Sequence, residues 1–205
     1  MKLNDFFSLD SNFKNSNIQV FAIELDTIPD PLGDKTSDHN RLIFGEYNEI
    51  HFPVIFEHKY GKNFFDILDT GWCSLFLISE RMKNILEENQ LTGWKIFSIK
   101  IYDKKRNEIF GYHGFSVTGR CIQLDYKKSE IIEKQMVPTG PVCKYYKGVD
   151  VDGWDGTDFF IPNKTRYIIV TKKAADVLKN HKITNMLLEN LADMETDVDM
   201  IQKRF

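Results

Sequence analysis

The densest run of side chains able to do chemistry is Asp150-Val-Asp152-Gly-Trp154-Asp155-Gly156-Thr-Asp158, four carboxylates and an indole in nine residues. Aspartates alternating with glycine suggest hard oxygen ligands for calcium. The EF-hand pattern does not fit, because its fifth position falls on Trp154 and its sixth, which needs glycine, on Asp155. Its twelfth falls on Ile161 instead of a bidentate glutamate. Another calcium or small-ligand loop over 150–158 stays open as an alternative. So does a turn whose aspartates cap their own backbone. A third reading is contact with a basic partner, since an aromatic anchor among carboxylates suits an interface. The candidate partner-binding residues are then Asp150, Asp152, Trp154 and Asp155. Burial of Trp154 competes with that role, and Asp158 fits better as a cap before the next strand.

Other reactive types are sparse. His113 stands eight residues before Cys121, outside the two-to-four spacing of zinc pairs. A His113–Cys121 pair assembled in space would be the core of an enzyme of unrecognised type. No cysteine-protease signature surrounds Cys73, Cys121 or Cys143, and such cysteines are commonly small core residues. The sequence has no P-loop, no GxGxxG after a strand, no GxSxG and no HExxH. No catalytic residue, metal ligand or cofactor site is expected. Lys104-Lys105-Arg106 could touch phosphate, but a solvated hairpin turn between two strands accounts for it.

The elements that must position these groups are organised around a repeat. Thr70 to Ile101 recurs as Thr165 to Leu191, with Phe76-Leu77-Ile78 falling on Ile168-Ile169-Val170, 92 residues later. At that offset Ser79 falls on Thr171, Ile85-Leu86 on Val177-Leu178, Leu91-Thr92 on Ile183-Thr184, and Asp66 on Asp158. Chemical type matches over about twenty positions without a gap. Each copy reads as strand, cap, helix, turn, strand. Ser79 and Thr171 supply N-cap oxygens, and Met82, Ile85 and Leu86, like Ala174, Val177 and Leu178, share one helical face. Gly93 suits a left-handed helix exit; Asn185 replaces it in the second copy, and asparagine tolerates that geometry. Leu86 and Leu178 are expected to be equivalent core positions.

Elsewhere the chain reads as follows. Residues 1–16 form a loose arm or edge, and Asn17–Leu25 a strand. A polar loop with Pro29, Pro31 and Gly33 runs to Asn40. RLIFGEY (41–47) and FPVIFEHKY (52–60) read as strands, and Phe97–Ile101 as a half-buried strand. Lys128–Gln135 reads as a short helix, Pro138–Pro141 as a turn, VCKYYKGV (142–149) as a strand, and 192–205 as a tail that is a terminal helix or a frayed end.

At 205 residues, 42% hydrophobic and 28% charged, the chain has the size and composition of one soluble globular domain. Sixteen phenylalanines lean toward sheet. A net charge of −3 argues against a nucleic-acid binder driven by phosphate neutralisation. Three widely spaced cysteines without CxxC fit free thiols in a reducing compartment. MKLNDFFSLDSNFKNS lacks the apolar core of a secretion signal, and no run approaches the roughly 20 apolar residues of a membrane span. A cytoplasmic protein is expected. The fold class expected is α+β, a single domain over 1–205, with a mixed or antiparallel sheet and two repeated strand–helix–strand units at 66–101 and 158–191.

Several segments carry a family resemblance: Trp-Asp-Gly-Thr-Asp-Phe-Phe (Trp154 to Phe160), Ile-Ile-Val-Thr (Ile168 to Thr171) entering a helix, and the Lys-Ile-Thr turn (Lys182 to Thr184). Tyr112, Val117-Thr118 and Leu124-Asp125-Tyr126 with Ser129 precede them. Together they resemble a bacterial family grouped with the immunity proteins of polymorphic toxin systems. The resemblance spans roughly Asp66 to Leu191 and leaves the N-terminal third outside it. It implies a non-enzymatic, cytoplasmic protein whose partner is a cognate toxin, and it brings no catalytic residues.

Overall fold

The computed structural model describes residues 5–198 apart from 13, 15, 24, 26–36, 136 and 164. In chain order the elements are β1 (Phe6–Ser11), β2 (Gln19–Ala22), α1 (Asp38–Phe44), β3 (Val54–Tyr60), β4 (Ile67–Asp69), β5 (Phe76–Ser79), α2 (Glu80–Glu88), β6 (Trp94–Phe97) and β7 (Ile99–Tyr102). There follow β8 (Glu108–Ile109), β9 (Tyr112–Val117), β10 (Gly119–Cys121), β11 (Gln123–Asp125), β12 (Glu130–Gln135), β13 (Val142–Lys147) and β14 (Asp150–Asp152). The chain closes with β15 (Phe159–Pro162), β16 (Ile168–Thr171), α3 (Lys172–Asn180), β17 (Met186–Asn190) and β18 (Glu195–Asp197). This is one mixed α+β fold, with 44% strand against 15% helix and a curled sheet.

Two larger sheets carry it. Eight strands run in the order β6-β9-β5-β4-β2-β3-β7-β8, and five in the order β10-β15-β16-β1-β17. Phe56, Ile67, Leu77, Ile78, Leu86, Phe115, Phe159 and Leu178, all sealed from solvent, meet in one core cluster that spans both sheets. A smaller cluster gathers Phe6, Cys121, Leu124, Val149, Phe160, Ile169, Leu191 and Met194.

α2 and α3 begin where the caps place them. The Ser79 hydroxyl accepts from the Met82 amide and the Thr171 hydroxyl from the Ala174 amide, each satisfying a donor that the helix leaves free. Each cap is itself held by an aspartate thirteen residues earlier. Ser79 Oγ donates to Asp66 Oδ1 at 2.8 Å, and Thr171 Oγ1 to Asp158 Oδ1 at 2.9 Å. The same two carboxylates also cross between the sheets. Asp66 Oδ2 accepts from the amide and hydroxyl of Thr184 at 2.9 and 2.8 Å, while Thr184 Oγ1 accepts from the Asp66 amide at 2.8 Å. Asp158 Oδ2 accepts from the amide and hydroxyl of Thr92 at 3.0 and 3.3 Å, and Thr92 Oγ1 accepts from the Asp158 amide at 3.1 Å. Arg81 joins Asp66 at 2.6 Å and Lys173 joins Asp158 at 3.2 Å. Both aspartates are 7% exposed, so these two crossed clasps lie inside the fold.

Several sequence expectations are corrected. The supposed loose arm contains β1, an inner strand between β16 and β17, with Phe6 and Leu9 buried. RLIFGEY is helical through Phe44: Ser37 caps α1, and Gly45 ends it with φ 69°, a left-handed geometry that glycine adopts without strain. The helix expected at Lys128–Gln135 is instead β12, because its Glu and Lys side chains line up against β13 in an antiparallel ladder. The strand expected through Phe97–Ile101 breaks at Ser98; β6 pairs with β9, and β7 runs parallel to β3. Of the described residues in Asn17–Leu25, Gln19–Ala22 form β2 and Asn17 makes an isolated parallel bridge with Asn63. Within the expected terminal helix or frayed end, Glu195–Asp197 forms β18 on β13, and 199–205 lie outside the described residues. Most of the polar loop before Asn40 also lies outside them.

Candidate partner-binding surface

The acidic stretch begins as a strand and only then becomes a loop. β14 pairs antiparallel with β11, setting Gln123 opposite Asp152, Leu124 opposite Val151 and Asp125 opposite Asp150. Side chains alternate across such a ribbon. Leu124 is buried in the smaller cluster and Val151 packs against it. Asp125, Asp150 and Asp152 therefore share the opposite face. Asp125 and Asp150 are directly opposed like charges, an arrangement that costs stability unless a cation answers it. Lys128 Nζ lies 3.4 Å from Asp150 Oδ2, partly meeting that need. One oxygen of each of these two also accepts a local amide: Asp125 Oδ1 from Lys127 at 3.0 Å and Asp150 Oδ1 from Val151 at 2.9 Å.

The remaining two candidates brace the ribbon, Trp154 half-buried and Asp155 exposed. Trp154 stands edge-on to Phe6, ring centroids 5.3 Å apart, and tilted against Phe160 at 5.9 Å. Its indole N–H donates to the Thr157 carbonyl at 2.8 Å. Asp155 accepts from the Arg120 amide at 2.6 Å and from the amide and hydroxyl of Thr157 at 3.0 and 2.6 Å. Partial burial pushes the Asp155 carboxyl upward, but these hydrogen bonds and the Arg120 charge outweigh it and hold the group below the usual range. Arg120 in turn donates to the carbonyls of Val117, Gly119 and Phe44 and lies over the Phe44 ring. A side chain at Gly119 would put its Cβ 1.9 Å from Thr157 Oγ1, so this close approach requires glycine.

Asp150 and Asp152 thus come together, joined by Asp125, which sequence reading did not select. Its signal was the hairpin register, available only once β11 was known to pair with β14. Asp158 is withdrawn into its clasp with Thr92 and Thr171. Among the described residues, no group of three or more His, Cys, Asp or Glu is arranged to hold a metal ion.

The suggested His113–Cys121 pair is not assembled. His113 Nε2 meets Glu80 Oε2 at 2.5 Å, whereas the Cys121 thiol lies in the smaller cluster, 3.8 Å from the Gln123 carbonyl oxygen. Burial, with help from the charges of Asp155 and Asp152, pushes that thiol up to about 12. It is protonated at neutral pH and is no nucleophile there. The three thiols are all free: Cys73 exposed, Cys121 buried, Cys143 half-buried. In the basic turn, Arg106 pairs with Glu57 at 2.9 Å, and Asp103 accepts the amides of Lys105 and Asn107. No helix of the described residues is long and apolar enough to cross a membrane.

Compared with known proteins, residues 5–193 match the model of a family described as Immunity protein family (Imm11). No curated protein matches the chain.

Proposed function

The chain belongs to the Imm11 immunity protein family, and from that premise we propose that it is a non-enzymatic binding protein that neutralises a cognate bacterial toxin. The carrying observation is the match itself, which takes in every element from β1 to β17. The buried, protonated Cys121 supports a binding role over thiol catalysis. Its workplace in this reading is the cytoplasm, where a toxin from a polymorphic system would be met, and a single domain over 1–205 does the binding.

The surface assigned to the toxin is the acidic face of the β11–β14 ribbon. Asp150 and Asp152 make contact together with Asp125, while Trp154 and Asp155 fix the ribbon's position on the core and border the contact. A face of carboxylates suits a partner with a basic cleft, as in enzymes that act on nucleic acid. Coexpression with the proposed cognate toxin is the direct test: protection and a co-purifying complex support the reading, and unprotected cells with no complex refute it.

We also infer that 66–101 and 158–191 are two copies of one strand–helix–strand unit, locked by the reciprocal clasps of Asp66 with Thr184 and Asp158 with Thr92. What supports this is a constant offset of 92 residues across four pairs, Asp66/Asp158, Ser79/Thr171, Arg81/Lys173 and Thr92/Thr184, each making the same kind of contact.

A further inference from the structure

β12 and β13 continue the β11–β14 ribbon outward as a hairpin, with β18 beside β13. Within this three-stranded sheet β12 is an edge. Five of its six residues are exposed, and Ile131 keeps 56% of its surface in water. An exposed strand edge offers unpaired N–H and C=O groups to another strand. We propose that β12 is a dimerisation edge, pairing antiparallel with β12 of a second copy of this chain across a two-fold axis.

The register follows from symmetry and charge. Bonded and non-bonded pairs alternate along an antiparallel ladder, so a two-fold axis must place one residue opposite its own copy. Two registers give a five-residue overlap within Glu130–Gln135. The one centred on Glu133 sets two like charges face to face and is disfavoured. The one centred on Ile132 sets Ile132 against Ile132 and Glu130 against Lys134, twice by symmetry. It also continues the pairing already present inside each chain, where Glu130 stands opposite Lys147, Lys147 opposite Glu195, and Ile132 opposite Tyr145. Across the joined sheet one row then reads Glu195, Lys147, Glu130 and the second copy's Lys134, alternating in sign. The central row reads Tyr145, Ile132, and the same pair reversed. Lys134 already holds Glu195 of its own chain at 2.5–2.7 Å. That contact anchors its stem on the face where the second copy's Glu130 arrives.

The test is a complementation by charge. Glu130→Lys and Lys134→Glu are prepared separately, checked for parental circular dichroism and melting temperature, and sized by light scattering and sedimentation over a broad concentration range. Parent protein is expected to reach twice the chain mass. Each variant alone opposes like charges at two symmetric pairs and is expected to dimerise about tenfold more weakly. In a mixed dimer of the two variants, both cross-strand pairs again join one acid to one base, with the signs exchanged at one of them. The mixture is therefore expected to recover dimerisation relative to either variant alone, as a heterodimer, short of parental affinity by what each substitution loses against Lys147 or Glu195 inside its own chain. Parent that stays monomeric throughout overturns the proposal. So do single variants that dimerise like the parent, or a mixture that fails to recover.

Discussion

Replacing Asp66 with Asn tests whether the crossed clasps carry the stability of the fold. The carboxylate receives four donors: Ser79 Oγ at 2.8 Å, Arg81 at 2.6 Å, and the amide and hydroxyl of Thr184 at 2.9 and 2.8 Å. An asparagine oxygen can still serve the three donors on the Thr184 side, but as a neutral acceptor, and its NH₂ then faces Ser79. Hydrogen bonds to a charged group contribute about 1.5–3 kcal/mol and neutral ones about 0.5–1.5, so three such downgrades cost about 3 kcal/mol. For a chain of this length that lowers the melting temperature on the order of 10 °C. The assay is guanidinium unfolding followed by circular dichroism, repeated in Thr184→Val and in the double variant. Coupling between the two sites should exceed about 0.5 kcal/mol, since they share one clasp. The pH dependence gives an independent check. Burial pushes the Asp66 carboxyl upward, but hydrogen bonds from Thr184, Ser79 and Arg81 outweigh it, so its pKa is lowered on folding. A depressed carboxylate stabilises fully above its unfolded pKa, 3.8, and loses that contribution as pH falls through its folded value. The gap between parent and Asp66→Asn should therefore close in acid. A variant within about 0.5 kcal/mol of the parent at pH 7, or effects at Asp66 and Thr184 that simply add, would refute the reasoning.

Further outcomes concern the core, the thiols and the second clasp. Leu86→Ala and Leu178→Ala, both at fully buried positions, should each cost about 2–5 kcal/mol in the same unfolding assay. Thiol titration should find Cys73 and Cys143 reacting in the native protein and Cys121 only after unfolding, with three groups in total under unreduced conditions; a native count of three would contradict the buried, protonated Cys121. Asp158→Asn should weaken the fold about as much as Asp66→Asn, and a loss under about 1 kcal/mol would show the two clasps unequal in strength.

What could be read from the sequence was local. Ser79 and Thr171, each ahead of an i, i+3, i+4 apolar face, mark α2 and α3 by signals confined to one turn. What failed was pairing over distance or competing signals at close range. β1 lies between strands more than 150 residues away, and its Ser8 and Asp10 hid the strand in a polar-looking arm. In α1 the run Leu42-Ile43-Phe44 looked like a strand, although Ser37 and Gly45 already bracketed a short helix. In β12 good helix formers misled, because the ladder with β13 outweighs an intrinsic preference of a few tenths of a kcal/mol per residue. The candidate surface divided the same way. Asp150 and Asp152 stood out as acidic neighbours, whereas Asp125 joins them only through the β11–β14 register, and Trp154 was drawn inward by Phe6 and Phe160.

The most direct test is binding to the proposed cognate toxin, measured with parent protein and with Asp125→Asn, Asp150→Asn and Asp152→Asn combined. The parent should form a stable complex and abolish toxicity. The triple variant should melt no lower than the parent, because it removes the Asp125–Asp150 repulsion, and should associate more slowly and with a flatter salt dependence if charge on this face steers the encounter. A triple variant that associates at the parental rate would remove the ribbon face from the interface. Parent protein that forms no complex with the toxin, and leaves its activity untouched, would contradict the account as a whole.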